Sequence, residues 1–211
     1  MMSHTAARVP PELLRRPLRV LRPRDGAVTY VHPRPEFARL ARAGALHRLA
    51  TGYYAVVPDD QVGASWRPEL EAAALGIAAA DEGVDTVALM GLSAARIHGA
   101  VPRAIAVAVV AARRHRATLR LADRDATVLF VRRDIRTLDL QRHTSELGDG
   151  WVTTIEQTVL DLAARPALGG LPDETEAAIH ALLPRADDNL LDELATAQRR
   201  KAALARLLKD S

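Results

Sequence analysis

The sequence predicts an α+β chain in two parts: a small basic N-terminal domain over residues 1–60, and a mixed helical domain with a small β-sheet over residues 66–211. Three observations lead there. Residues 8–57 hold ten arginines, Arg8, Arg15, Arg16, Arg19, Arg22, Arg24, Arg34, Arg39, Arg42 and Arg48, against Glu12, Asp25 and Glu36, a net +7. The whole chain carries +3, so the remainder is acidic at −4. Helical and strand periodicities alternate along both parts. A polar connector, Asp59 to Ser65, followed by Trp66-Arg67-Pro68, separates them.

In the basic part, Leu13, Leu14, Leu18 and Leu21 recur at helical spacing behind Pro11, which predicts a first helix from Pro11 to Leu21. Asp25-Gly26 signals a turn, and Ala27–Val31 is a short β-prone run. A second helix is predicted from Pro35, with Phe37, Leu40 and Ala41 on its apolar face and Gly44 as its stop. Leu46–Ala50 and Tyr53–Val57 then read as two strands around a Thr51-Gly52 tip. Helix, strand, helix and hairpin in this order describe a reduced winged helix. In that arrangement the helix before the hairpin enters a DNA major groove and the wing touches backbone. The candidate DNA contacts are Arg34, Arg39, Arg42, His47, Arg48 and Thr51. An arginine fork suits a phosphate or the O6 and N7 edge of guanine.

The second part predicts a helix over Pro68–Ala80 and a buried strand over Val84–Met90, followed by a helix capped by Ser93 and running through His98. Ile105–Ala111 and Ala126–Val131 are β-rich, with a further short strand between them. Helices follow at Thr154–Ala164, Asp173–Leu183 and Asn189–Leu208.

Composition excludes several function classes. At 48% hydrophobic the 211 residues form packed domains rather than a disordered tail. Absence of cysteine removes disulfides and thiolate metal sites. Lysine occurs only at positions 201 and 209, so the strand lysine of a protein kinase is missing, and no phosphate-binding GxxxxGK[ST] loop is present. Ser93 and His98 lie five apart on one predicted helix and do not face each other as nucleophile and base. Asp123 with Asp125, or with His115, reads as solvated charge near a turn rather than a metal site. No catalytic residue, metal or cofactor is expected. The start of the chain lacks the apolar core of a secretion signal, and no run is long enough to span a bilayer, which predicts a cytoplasmic protein with no membrane partner.

Three segments carry a resemblance. Ala43-Gly44-Ala45-Leu46-His47-Arg48-Leu49-Ala50-Thr51-Gly52-Tyr53-Tyr54-Ala55-Val56-Val57-Pro58 resembles the "aGxLxRLxxGxYxxxP" signature that closes the N-terminal domain of AbiEi-family antitoxins. Gly91 to Gly99, reading GLSAARIHG, is similar to that family's "SAAxxHG" helix. Thr153 to Ala163, TTIEQTVLDLA, is similar to its "Txxx(Q/R)TLLDLA" helix. The six prolines between residues 10 and 35 depart from the family's N-terminal helical array. The resemblance implies an antitoxin that neutralises a cognate nucleotidyltransferase toxin and represses its own operon by binding inverted repeats in operator DNA, as a monomer or weak dimer binding cooperatively. It also raises a second reading, an atypical phosphotransferase that modifies a toxin serine using Arg96, His98, Asp123, Asp125 and Asp161. A third reading is an RNA- or protein-binding module without operator specificity. The 3% aromatic content disfavours single-strand stacking.

Overall fold

A computed structural model describes residues 8–210, so residues 1–7 of the predicted N-terminal domain lie outside the described residues. The protein is α+β, with one three-stranded and one six-stranded sheet. The chain opens with a single helical turn, α1 (Pro11–Leu14), instead of the helix predicted to Leu21. Pro17 supplies no N–H to continue it, and Leu18 and Arg19 take positive φ of 53° and 46°. That reversal turns Leu18 inward, where it is 3% exposed, and releases Val20–Leu21 as strand β1. The strand expected at Ala27–Val31 does not form. Residues Pro23–Val28 make a 3-10 helix, and Val28 and Val31 face solvent at 73% and 89% exposure. A β-prone run with no partner edge gains nothing from its propensity.

Helix α2 (Pro33–Arg42) ends as predicted at Gly44. With φ of 75°, Gly44 lets Ala45 N–H reach Leu40 O at 3.0 Å and Gly44 N–H reach Ala41 O at 3.1 Å. The hairpin β2 (Leu46–Ala50) and β3 (Tyr53–Val56) follows, and β1 pairs with β3 to give the order β1-β3-β2. Alternation gives this small sheet two faces. Leu21, Leu46 and Val56 pack with Phe37 and Leu40 of α2. Val20, Leu49, Tyr53 and Ala55 belong to a different core, shared with α3 (Leu70–Glu82).

Beyond the connector, β4 (Ala88–Leu89) is shorter than the predicted Val84–Met90 strand, because Val84–Thr86 makes a 3-10 turn. It leads into α4 (Gly91–Ile97), β5 (Val107–Ala112), β6 (Leu119–Arg120) and β7 (Thr127–Arg132). A hairpin that the sequence reading missed, β8 (Leu140–Ser145) and β9 (Gly148–Thr153), completes the large sheet in the order β6-β7-β5-β4-β9-β8. The β5–β7 and β4–β9 pairs are parallel. Strand β5 is buried at all six positions: Ala108, Val110 and Ala112 face α3, while Val109 and Ala111 join Met90, Val131 and Ile135 on the other side. Layers therefore stack as α2, small sheet, α3 and large sheet.

The remaining helices are α5 (Ile155–Ala164), α6 (Pro172–Leu182), α7 (Asp188–Ala197) and α8 (Lys201–Asp210). With α4 they enclose a second core of Leu92, Val159, Leu160, Ile179, Leu182 and Leu191. The single predicted helix from Asn189 to Leu208 is two helices. Arg199 takes φ of 56°, and Arg200 N–H bonds back to Ala195 O at 2.7 Å, which closes α7 without glycine. Ser93 is not a cap. It sits inside α4, fully buried, and its Oγ accepts the Val109 N–H at 2.9 Å.

Candidate nucleic-acid interface

The N-terminus of α2 and the tip of the β2–β3 hairpin flank one groove. Pro33 and Pro35 fix the helix entry, so Arg34 between them projects from its first turn, exposed. On β2, Arg48 lies across from Tyr54 in the strand register, and the Tyr54 ring meets Phe37 edge-on at 5.4 Å. Arg48 Nη2 donates to Thr51 Oγ1 at 3.4 Å, and Gly52 with φ of 83° closes the tip. Arg22 and Arg24, either side of Pro23, form the opposite lip. The groove encloses about 800 Å³ and is lined by Arg22, Arg24, Arg34 and Arg48 with Thr51, and by no carboxylate. Low-dielectric walls carrying one sign of charge concentrate field on an anion.

The six predicted contacts therefore divide. Arg34, Arg48 and Thr51 line the groove. Arg39 and Arg42 lie further along α2, both exposed; Arg39 Nε pairs with Glu36 at 2.9 Å, and Arg42 Nε donates to Ala38 O at 3.4 Å. His47 is on the other face of β2, one residue from Arg48 and so on the opposite side of the pleat. Its Nε2 lies 2.8 Å from Asp123 Oδ2, and its ring meets Trp66 edge-on at 6.0 Å. Arg22 and Arg24 were among the ten arginines counted but were not singled out. Both line the groove, and both also reach Asp81 of α3.

Two ionic clusters behind the small sheet join it to the second part. Burial raises the Asp123 carboxyl, but hydrogen bonds from His47 and Arg124 outweigh it and hold the pKa at about 2. Arg124 Nη2 also donates to Pro68 O at 2.6 Å. The second cluster centres on Asp81 of α3, which pairs with Arg22 and Arg116 and lies 3.6 Å from Arg24. Tyr53 Oη donates to Asp81 Oδ2 at 2.7 Å and accepts from Arg116 at 3.0 Å. Burial, then the bond to Asp81, pushes the Tyr53 hydroxyl pKa up. Arg116 also stacks 4.1 Å from the Phe130 ring centroid. One side of the groove is thus braced on α3.

Residues considered for phosphotransfer are dispersed among separate partners. Arg96 contacts Glu71 at 3.1 Å and Glu69 at 3.5 Å beside a second cavity of about 540 Å³. His98 Nε2 meets Thr153 O at 2.7 Å. Asp125 pairs with Arg120 at the surface. Asp161 is buried between α5 and the α7–α8 junction, with Arg200 at 2.6 Å and Arg133 at 3.7 Å. Among the described residues, no three His, Asp or Glu side chains converge as a metal-binding set, and no helix is long and apolar enough to cross a membrane.

The residues that carry the family resemblance hold structural positions. Gly44 closes α2, and Leu46, Leu49 and Tyr53 are core. Gly99, with φ of 76°, closes α4 as Gly44 closes α2, with Ala100 N–H on Ala95 O at 2.9 Å. Thr154 caps α5 by accepting Gln157 N–H, and Thr158 bonds Thr153 through their hydroxyls at 2.8 Å. Comparison of the chain with protein-family models gives no match, and comparison with curated proteins gives no significant one.

Proposed function

We propose that this protein is a DNA-binding antitoxin of the AbiEi type, acting in the cytoplasm. Its N-terminal part is a reduced winged helix in which α2 is the recognition helix and the β2–β3 hairpin is the wing. That part binds operator DNA bearing inverted repeats and represses its own operon. The second part, on the strength of the three ordered motifs, neutralises a cognate nucleotidyltransferase toxin. One observation carries the DNA reading: Arg34 from the helix and Arg48 from the wing meet Arg22 and Arg24 around a single groove free of carboxylate. A duplex lying there places phosphates against guanidinium forks from both elements, with Arg34 nearest the base edges.

Fluorescence anisotropy of a labelled duplex taken from upstream of the chain's own reading frame, titrated at several salt concentrations, tests this. With four arginines engaged, log affinity falls against log salt with a slope of about −4. The triple substitution Arg24→Ala/Arg34→Ala/Arg48→Ala reduces the slope to about −1 and removes preference over random DNA. Arg39→Ala/Arg42→Ala, outside the groove, has the smaller effect. Salt-independent affinity, or equal slopes for the wild type and the groove variant, sinks the DNA reading.

A further inference from the structure

Among the guanidinium groups of the groove stands a side chain with different chemistry. Val31 is 89% exposed, above the other large apolar residues exposed among the described residues, and it lines the groove beside Arg34, Arg48 and Thr51. Val28, 73% exposed, precedes it but does not line the groove. Val31 is also held in place. Tyr30, the residue before it, bonds through its N–H to Gly26 O at 2.8 Å and packs against the α2 core. Two residues later Pro33 begins α2 with its φ locked. A β-branched side chain on such a backbone has little freedom to lose on contact.

We infer that Val31 is a specificity-determining residue that packs its isopropyl group on the 5-methyl of a thymine in the major groove of bound duplex DNA. The inference rests on the DNA reading and names what the groove selects. Charge complementarity identifies the occupant: four guanidinium groups line the groove, Asp81 behind Arg22 and Arg24 offsets only one of their charges, and the surplus attracts a polyanion, while an apolar group among them meets the edge of a base, where the thymine methyl is the apolar mark. Arginine forks supply phosphate and guanine contacts. Neither distinguishes thymine from cytosine by a methyl group, and Val31 does. Val31 lies two residues before α2, beside the N-terminal end of the proposed recognition helix, the end that approaches base edges.

The probe is the tightest duplex recovered from a random 20-base-pair pool by repeated binding to the full chain, resynthesised with deoxyuridine replacing thymine. Deoxyuridine lacks only the 5-methyl, so phosphate contacts and pairing are retained. Losing one buried methyl weakens wild-type binding about fourfold. Val31→Ala weakens binding to the thymine duplex to a similar degree and is indifferent to the uridine replacement, while its thermal midpoint stays at the wild-type value, as expected for an exposed position. Wild-type affinity unchanged by uridine, or lowered equally in wild type and Val31→Ala, overturns the role of Val31 while leaving salt-dependent DNA binding intact. Recovery of no duplex from the pool overturns the DNA reading itself, and this inference with it.

Discussion

Protonation of Asp123 should loosen the joint between the small sheet and the second part. Its carboxylate receives His47 from β2 and Arg124 beside it, and its side chain is only 5% exposed. The folded protein holds its pKa at about 2 against an ordinary 3.8. At about 1.4 kcal/mol per pH unit of displacement, the gap is worth about 2 kcal/mol. Because the folded value is depressed, that stability is fully present above about pH 4 and is lost as pH falls toward 2. Asp123→Asn keeps the shape without the charge. At pH 7 it should cost about 2 kcal/mol, or about 4–8 °C in melting midpoint for a chain of this size. Urea unfolding of both proteins by circular dichroism, at steps from pH 7 to pH 2.5, gives the test. The two stabilities converge as acid removes from the wild type what the substitution has already removed from the variant. A gap that stays constant from pH 5 to pH 2.5 would refute the assignment of this stability to the Asp123 carboxylate.

Two further expectations concern packing. A Cβ on Gly76 of α3 would press into the Val20 side chain on β1, inside van der Waals contact. Gly76→Ala, which favours an isolated helix by about 1 kcal/mol, should therefore destabilise this protein by about 1–2 kcal/mol, and Val20→Ala in the same chain should relieve part of that loss in thermal melts. Ser93→Ala leaves the Val109 N–H of a fully buried strand without its acceptor. It should cost about 1–3 kcal/mol, with amide exchange at Val109 faster than in neighbouring β5 residues; unchanged exchange there would count against the role given to Ser93.

What the sequence disclosed followed the strength of its local signals. Helix α2 and the β2–β3 hairpin were readable because Gly44 and Gly52 supply the positive φ that each reversal needs, and Phe37 and Leu40 fall at helical spacing. Arg199 takes the same left-handed conformation without being glycine, so the break between α7 and α8 carried no mark. The first helix was read through Pro17 to Leu21, because the positive φ of Leu18 and Arg19 depends on a distant core, where Leu18 packs with Leu75, Leu147 and Val152. The β8–β9 hairpin was missed because its strands, LQRHTS and GDGWVT, bury few side chains. Their large aromatic, Trp151, is covered by Arg142 at 4.0 Å, so a charged residue takes the place of an apolar neighbour. At the groove, the sequence reading grouped His47 with Arg48 although strand alternation puts them on opposite faces of β2, and only the fold shows that the face bearing His47 is covered. A basic residue beside a basic cluster looked like one more contact and turned out to hold Asp123.

A sheet enclosed on both sides also makes the molecule a reporter of its own occupancy. Arg22 faces the groove on one side and Asp81 of α3 on the other, and the core through Val20, Tyr53 and Leu75 continues into the large sheet. Any anion that prefers the folded groove raises the free energy of opening this shared core by mass action, in proportion to the logarithm of its concentration once binding is saturated. The gain is felt as far away as β5 and α3. Hydrogen exchange in strands remote from the arginines can thus register a ligand that never touches them.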